Sequence, residues 1–141
     1  MVIVQLKGGL GNQMFQYAAA RRIAYMNNTS LKLDISYFES SKLRTYDLGC
    51  FNIIEDFAST REIRCLKRLR ERNISDLVFR FIEKCKPYYR RKYIKEISFN
   101  FDLNMLKVSG NAYIEGYWQS EKYFKDVENI IRKEFTIKYK S

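Results

Sequence analysis

Hydrophobic positions along the first 35 residues predict a strand, a helix and a second strand. Residues 2–6 (VIVQL) form a short β-branched run that ends at the glycines, as a buried strand does. After Gly11, apolar positions recur on one face of a predicted helix: Phe15, Ala19, Ile23 and Met26. Alternation at residues 31, 33 and 35 predicts a strand that ends near Asp34. This order predicts a βαβ unit with parallel strands.

The middle of the chain carries two helical patterns. Ser59 and Glu62 form a capping box, and apolar residues follow at near-helical spacing: Ile63, Leu66 and Leu69. A second stretch places six apolar residues on one helix face: Ile74, Leu77, Val78, Phe81, Ile82 and Cys85. This second helix must stop near Lys86, because Pro87 follows.

The last third of the chain predicts further strands and one more helix. Phe99 and Phe101 alternate with polar residues, which predicts a strand, and residues 112–118 predict a stronger one. Ser120 can cap a helix whose core face holds four apolar residues: Phe124, Val127, Ile131 and Phe135. Another strand begins at residues 136–137, whereas residues 88–95 give no assignable pattern. Together these elements predict an α/β fold, a parallel sheet with flanking helices.

Size and composition favour one soluble domain. The 141 residues are 46% hydrophobic with a single proline, so a real core is expected. Cys50, Cys65 and Cys85 are odd in number, form no CxxC pair and have no histidine to join them, which predicts reduced, partly buried thiols and no metal site. No apolar run approaches the roughly 18 residues of a membrane span, and residues 1–6 lack the basic start of a signal peptide. We therefore expect a cytoplasmic protein, at most peripheral on the inner face of the membrane.

The net charge of +10 is concentrated in one segment. Residues 61–95 contain 13 basic and 4 acidic residues, whereas the rest of the chain holds 13 basic and 12 acidic residues. Basic helices bind phosphate backbones or anionic membranes, but such a run is more often the solvated face opposite an apolar stripe. We expect no nucleic-acid partner, and contact with an anionic membrane surface stays an open alternative.

The string GGLGNQ, between the first strand and the first helix, is one candidate site. Glycine there permits the turn and lets a phosphate reach the amide N–H groups at the positive end of a helix. A dinucleotide fingerprint would need glycine where Met14 stands, and no Gly-Lys-Ser/Thr of a P-loop follows. A nucleotide phosphate and a plain tight turn, with Asn12 as the helix N-cap, both fit the string. The candidate donor-binding residues are Gly8, Gly9, Gly11, Asn12 and Gln13.

The string GYWQSEKYF, residues 116–124, is the second candidate site. It again places glycine, aromatic residues and an amide where a strand gives way to a helix. Tyr117 and Trp118 can stack on a sugar, and Gln119 can bind its hydroxyls. A single tryptophan beside a strand end is more often part of the core, so that alternative stays open.

Three strings together resemble the bacterial α-1,2-fucosyltransferases, glycosyltransferase family 11. They are GGLGNQMFQYAAARRIA at residues 8–24, RTYDLGCFNI at residues 44–53 and YIEGYWQSEKYF at residues 113–124. The resemblance runs in order from Val2 to about Phe135, and the third string is its most specific part.

The resemblance implies a reaction and an architecture. It implies transfer of L-fucose from GDP-fucose to the 2-hydroxyl of a galactose-type acceptor, with inversion and without a metal or other cofactor. A lipid-linked acceptor would agree with contact to an anionic membrane. It also implies a GT-B-like enzyme of two Rossmann-like halves. The loop that contains Asn12 would face the donor, with Asn12 as the catalytic amide, and Tyr117, Trp118 and Gln119 would meet the acceptor. The sequence contains no Asp-x-Asp pair, which agrees with metal independence.

One departure limits the resemblance. The family's donor signature, His-x-Arg-Arg-x-Asp, normally lies beyond the segment that matches Phe135, and this sequence contains no histidine. We therefore expect residues 1–141 to be the N-terminal Rossmann-like domain of such an enzyme, with the donor-binding C-terminal half absent and the chain inactive alone. The alternative is a non-catalytic α/β module that binds a nucleotide or a glycan.

Overall fold

A computed structural model describes residues 1–67 and 74–139 of this chain. In these residues four strands form one sheet: β1 (Val2–Gln5), β2 (Leu31–Asp34), β3 (Tyr93–Lys95) and β4 (Ala112–Glu115). The α-helices are α1 (Leu10–Met26), α2 (Tyr37–Ser40), α3 (Thr60–Lys67), α4 (Ile74–Cys85) and α5 (Glu128–Glu134). No helix of the described residues is long and apolar enough to cross a membrane.

The sheet is parallel, with the strand order β2-β1-β4-β3. Strand β1 lies between β2 and β4, with Val2 opposite both Leu31 and Ala112. The predicted βαβ unit is β1-α1-β2, and the α/β, Rossmann-like parallel sheet with flanking helices is confirmed. The expected second half of a two-domain enzyme stays a prediction.

Helices cover both faces of the sheet. Strand side chains alternate between the two faces, so Val2 and Val4 meet the core under α1, while Ile3 packs with Tyr113 and with Leu66 of α3. Three successive alanines of α1, residues 18–20, are almost fully buried, and their small side chains allow close helix packing.

Ion pairs fasten the end of the described chain to α1. The Arg21 guanidinium lies 2.8 Å from a Glu134 carboxylate oxygen, and the Tyr17 hydroxyl donates to the same carboxylate at 2.6 Å. Arg22 donates to Asp126 at 2.8 Å and to the Leu106 carbonyl oxygen at 2.9 Å. The hydrogen bond from Arg22 to the Asp126 carboxylate holds the pKa of Asp126 below its usual value.

Several local predictions are confirmed. The capping box before α3 is complete, because the Ser59 N–H donates to Glu62 and the Glu62 N–H donates back to the Ser59 hydroxyl. Helix α4 ends at Cys85, two residues before Pro87. The side chain of Ser120 accepts a hydrogen bond from the Lys122 N–H, as a cap does.

Other predictions are wrong. Phe99 and Phe101 belong to no strand, and the short strand β3 lies instead in the segment that gave no pattern. The strand predicted over residues 112–118 ends at Glu115. The single helix predicted after Ser120 is two 3₁₀ turns, residues 121–123 and 125–127, followed by α5. Cap hydrogen bonds at Tyr123, Phe124 and Val127 close each turn after three residues, so the helix is interrupted.

Three smaller expectations also change. Helix α1 begins at Leu10 with Gly9 as its N-cap, so Gly11 and Asn12 lie inside its first turn. All three cysteines are free and exposed rather than partly buried. Ile137 forms one antiparallel bridge with Phe51 instead of a strand, and Leu69 lies outside the described residues.

A buried hydrogen bond joins the inner strand β4 to the edge strand β2, past the strand β1 that lies between them. The Tyr113 hydroxyl of β4 donates to Asp34 at the end of β2 at 2.5 Å, and the Ser36 N–H donates to the other Asp34 oxygen at 2.9 Å. Burial and this carboxylate raise the pKa of Tyr113 far above its usual value. The tyrosine therefore stays protonated and acts as a donor.

Replacing Tyr113 tests this link. Tyr113→Phe removes one donor from a carboxylate that is 1% exposed, and the free energy of unfolding should fall by about 1–3 kcal/mol. Urea unfolding measures the change. The matched variant Tyr25→Phe alters an exposed hydroxyl and should stay within about 0.5 kcal/mol of the parent. Equal effects of the two variants would show that the buried bond contributes nothing.

Candidate functional site

The two candidate motifs meet at the carboxyl edge of the sheet. Parallel strands end at the same edge, and β1 and β4 are paired neighbours. The segment after β1, residues 8–13, which includes the first turn of α1 and is named the glycine loop here, therefore lies beside the loop after β4, residues 116–119 (the tryptophan loop). The contact is direct, because the Gln119 amide donates to the Asn12 side-chain oxygen at 2.5 Å across 107 residues of sequence.

Gly8 has a structural reason to be glycine. Its φ of +79° lies in the left-handed region, and a Cβ placed there would lie 2.5 Å from the Asn12 side-chain nitrogen. Gly9 is the extended N-cap of α1, and a Cβ there would lie 3.3 Å from Nη1 of Arg44. These two residues shape the turn that begins α1.

Gly11 has no such reason in this structure. It lies in the first turn of α1, is exposed, and a Cβ added to it would meet no atom of the described residues within 4 Å. Glycine in a helix costs about 0.5–1 kcal/mol relative to alanine. The open space over Gly11 adjoins the first-turn N–H groups of α1, which lack intrahelical partners.

Gln13 is fully buried, and its side chain holds the glycine loop in place from the protein interior. Its amide donates to the Gly8 carbonyl oxygen at 3.0 Å and to the Thr45 carbonyl oxygen at 2.8 Å, and its oxygen accepts from the Asp47 N–H at 2.9 Å. The Gln13 side chain therefore joins the glycine loop to the RTYDLG segment. Its amide group is used within the protein, whereas the neighbouring Asn12 amide faces the tryptophan loop.

A carboxylate at the end of β3 holds the tryptophan loop. Glu96 accepts hydrogen bonds from the Tyr117 N–H at 2.7 Å and from the Trp118 N–H at 3.1 Å. Gly116 allows this approach, because a Cβ there would lie 2.5 Å from the Cβ of Glu96. The three strand ends of β1, β4 and β3 thus contribute to one connected site.

Trp118 carries two irregular features at this site. Its φ of +52° is unusual for a large side chain, and its ring is 1% exposed, packed edge-on against Tyr123. Its indole N–H is buried without a hydrogen-bond partner among the described residues. Because the ring is enclosed, Tyr117 and Gln119 are the accessible members of the predicted acceptor set.

Two cations flank the glycine loop, and sequence reasoning missed both. The Arg44 guanidinium lies against Gly9, and the Lys7 ammonium lies 4.9 Å from the centre of the Tyr117 ring. Neither takes part in an ion pair within residues 1–67 and 74–139. The available signal was that Lys7 precedes the glycines directly and Arg44 opens the RTYDLGCFNI string.

The site can therefore bind an anion, with polar amide side chains beside it. Helix N–H groups and the two cations Lys7 and Arg44 suit a phosphate or diphosphate, and Asn12, Gln119 and Tyr117 offer hydrogen bonds and a ring for a sugar. In the part of the chain that the structure covers, no group of three or more metal-ligating side chains is found.

Two curated proteins are similar to most of this chain. It is 29% identical over 144 residues to an alpha-1,2-colitosyltransferase of Escherichia coli, an alignment that covers 96% of this chain and 45% of that protein. It is 31% identical over 134 residues to the O-antigen biosynthesis glycosyltransferase WbnK of Escherichia coli, covering 89% of this chain and 42% of that protein. The chain thus spans less than half the length of these two glycosyltransferases. No family profile and no solved structure gives a significant match.

The three hydrogen bonds that the Gln13 side chain makes can be tested without a ligand. Gln13→Ala removes three buried hydrogen bonds and leaves two carbonyl groups and one N–H without this partner, so the free energy of unfolding should fall by about 1–3 kcal/mol. Urea unfolding measures it. Gln119→Ala, in an exposed amide of the same site, should change stability by less than about 0.5 kcal/mol. If Gln13→Ala lowers the free energy of unfolding as little as Gln119→Ala does, the three hydrogen bonds of Gln13 do not stabilise the glycine loop.

Proposed function

We propose that this chain forms the glycine-loop part of an inverting, metal-independent glycosyltransferase that moves L-fucose from GDP-fucose to the 2-hydroxyl of a galactose-type acceptor. The observation that carries the proposal is the Asn12–Gln119 hydrogen bond, which joins the donor motif to the acceptor motif at one sheet edge. The similarity to two glycosyltransferases supports the reaction class, and the name of one includes an alpha-1,2 linkage.

The donor diphosphate would lie over the first turn of α1. There the N–H groups of the glycine loop carry partial positive charge, and Lys7 and Arg44 add two full charges beside it. Transfer of the sugar builds negative charge on the leaving GDP, so these groups would favour the transition state as well as binding. Gly9 and Gly11 provide the close approach, and Gly8 and Gln13 keep the loop in shape.

Asn12 is the proposed catalytic amide. The Asn12 side-chain oxygen accepts a hydrogen bond from Gln119. The Asn12 NH₂ group therefore points the other way, toward Gly8. In this role Asn12 would donate to the sugar or to the bridging phosphate oxygen while charge develops there. Tyr117 would present its ring to the acceptor, Gln119 would bind a hydroxyl group, and the buried Trp118 would position both.

The identity of the donor sugar has two close candidates. Colitose is L-fucose without the 3-hydroxyl, and one relative is named for it. A site that binds the 3-hydroxyl through a buried polar group discriminates strongly against its loss. Comparing GDP-fucose with GDP-colitose as donors at equal concentration, with the second half of the protein supplied, therefore decides which sugar the site accepts.

A non-catalytic module that binds a nucleotide or glycan is the second candidate. It is favoured by one observation: the helix N–H groups of the glycine loop, with Lys7 and Arg44 beside them, can bind an anion whether or not a reaction follows. Binding of GDP without transfer, even when a second half is supplied, would favour this module.

Gly11→Ala separates ligand binding from folding. The substitution removes a helix glycine whose space is open, so the free energy of unfolding should rise by up to about 1 kcal/mol. The new methyl group should also block the close approach of the diphosphate and weaken GDP binding by about tenfold, measured by isothermal titration calorimetry.

The control is Asn129→Ala in α5, an exposed helix position outside the site. It should raise stability in the same way and leave GDP affinity unchanged. Unchanged affinity in Gly11→Ala would contradict the donor position.

Turnover is expected to need the second half of a protein of the relatives' length. Alone, the chain should transfer fucose at least about 100-fold more slowly than together with that half, because an arginine facing the diphosphate would be missing. In the complete protein, Asn12→Ala should lower kcat more than it raises the KM for the acceptor. Full activity of residues 1–141, measured by GDP release, would contradict this account of the site.

A further inference from the structure

Helix α4 is attached to the protein by its polar side. Its Glu83 carboxylate accepts from the Lys92 N–H at 2.9 Å, and the Lys84 carbonyl oxygen accepts from the Arg91 guanidinium at 3.0 Å. The Lys92 ammonium lies 5.8 Å from the centre of the Phe79 ring. Phe79 and Glu83 therefore face the segment that leads into β3.

The opposite side of α4 is an exposed apolar stripe. At 100° per residue its members fall within an arc of about 140° centred away from Glu83. The exposed fractions are 81% for Ile74, 62% for Leu77, 54% for Val78, 70% for Phe81 and 49% for Ile82. Helix α4 contributes no buried residue, so the stripe is not part of the core. A contiguous apolar surface of this kind marks an interaction site in a soluble protein.

Basic side chains border this stripe. Arg80 and Lys84 lie along one flank of the helix. Lys86, after the last turn, is held in an ion pair with Glu83 at 2.7 Å. The acidic residues Asp76 and Glu83 lie on the attached side rather than beside the stripe. The surface therefore combines an apolar centre with one positively charged flank.

We propose that α4 is a docking surface for an anionic lipid bilayer. The helix would lie in the plane of the interface, with the apolar stripe among the acyl chains and the basic flank of Arg80 and Lys84 at the headgroup phosphates. This is the arrangement of an interfacial amphipathic helix, whose binding combines apolar burial with attraction to anionic lipids. The proposal does not depend on the transferase function, although it would bring a lipid-linked acceptor close to the site.

The apolar stripe and the positive charge together favour a bilayer over a nucleic acid or a protein as the partner of α4. A nucleic acid would use the basic residues but would leave five apolar side chains in water. A protein partner would need both an apolar groove and an acidic rim to match this surface. An anionic bilayer supplies both properties along the whole length of α4, about 18 Å.

Vesicle co-sedimentation tests the proposal on the purified chain. Vesicles of phosphatidylcholine alone are compared with vesicles that also contain phosphatidylglycerol, over a series of salt concentrations. Binding should require phosphatidylglycerol and weaken as salt rises. Phe81→Glu should reduce partitioning by at least about tenfold, and Arg80→Glu should reduce it by at least about fivefold.

Matched variants outside α4 complete the experiment. Leu43→Glu changes an apolar side chain that is 90% exposed, and Lys125→Glu makes a comparable charge reversal at an exposed position. Both should bind like the parent, and circular dichroism verifies that every variant is folded. The proposal is overturned if the parent does not bind anionic vesicles, or if Phe81→Glu and Leu43→Glu bind equally. The proposal is also overturned if the chain self-associates or binds duplex DNA but does not bind the vesicles.

Discussion

The site depends on the parallel pairing of β1 with β4. Val2, Ile3 and Val4 lie opposite Ala112, Tyr113 and Ile114, so both strands end at the same height. That register places Asn12 within hydrogen-bond distance of Gln119, although more than 100 residues separate them. A slip of one residue would turn the buried strand side chains to the other face and separate the loops. The chemistry of the edge is thus a consequence of strand register.

Neighbouring residues of the glycine loop have different roles: some maintain its structure, and others are placed to contact a ligand. Gly8 and Gln13 are required by the fold, one by its backbone conformation and the other by three internal hydrogen bonds. Gly11 and Asn12 lie between them and face outward. A ligand would therefore meet a loop whose shape is set before binding, which lowers the cost of organising charged groups around a diphosphate.

The sequence pattern predicted the parts of this structure that local rules determine. The β1-α1-β2 unit, the capping box and the end of α4 at Cys85 follow from hydrophobic period and from Pro87. Strand β3 was missed because its three residues are too few for a period. Arg44 and Glu96 were missed because their roles arise from tertiary contacts with the glycine and tryptophan loops. A core position for Trp118 was one of the two alternatives that the sequence left open, and the structure shows the ring buried against Tyr123.

Strand order also bears on how the chain folds during synthesis. Of the four strands, β1 is made before the others, yet its neighbour β4 is completed only at Glu115, after β2 and the basic helical segment have emerged. Until then one edge of β1 has no partner strand, although its residues 2–4 are fully buried in the finished sheet. Such an edge attracts other strands, and chains that expose one are prone to intermolecular pairing. The nascent chain therefore passes through a long interval in which protection of that edge, by helix α1 or by a chaperone, decides between folding and aggregation.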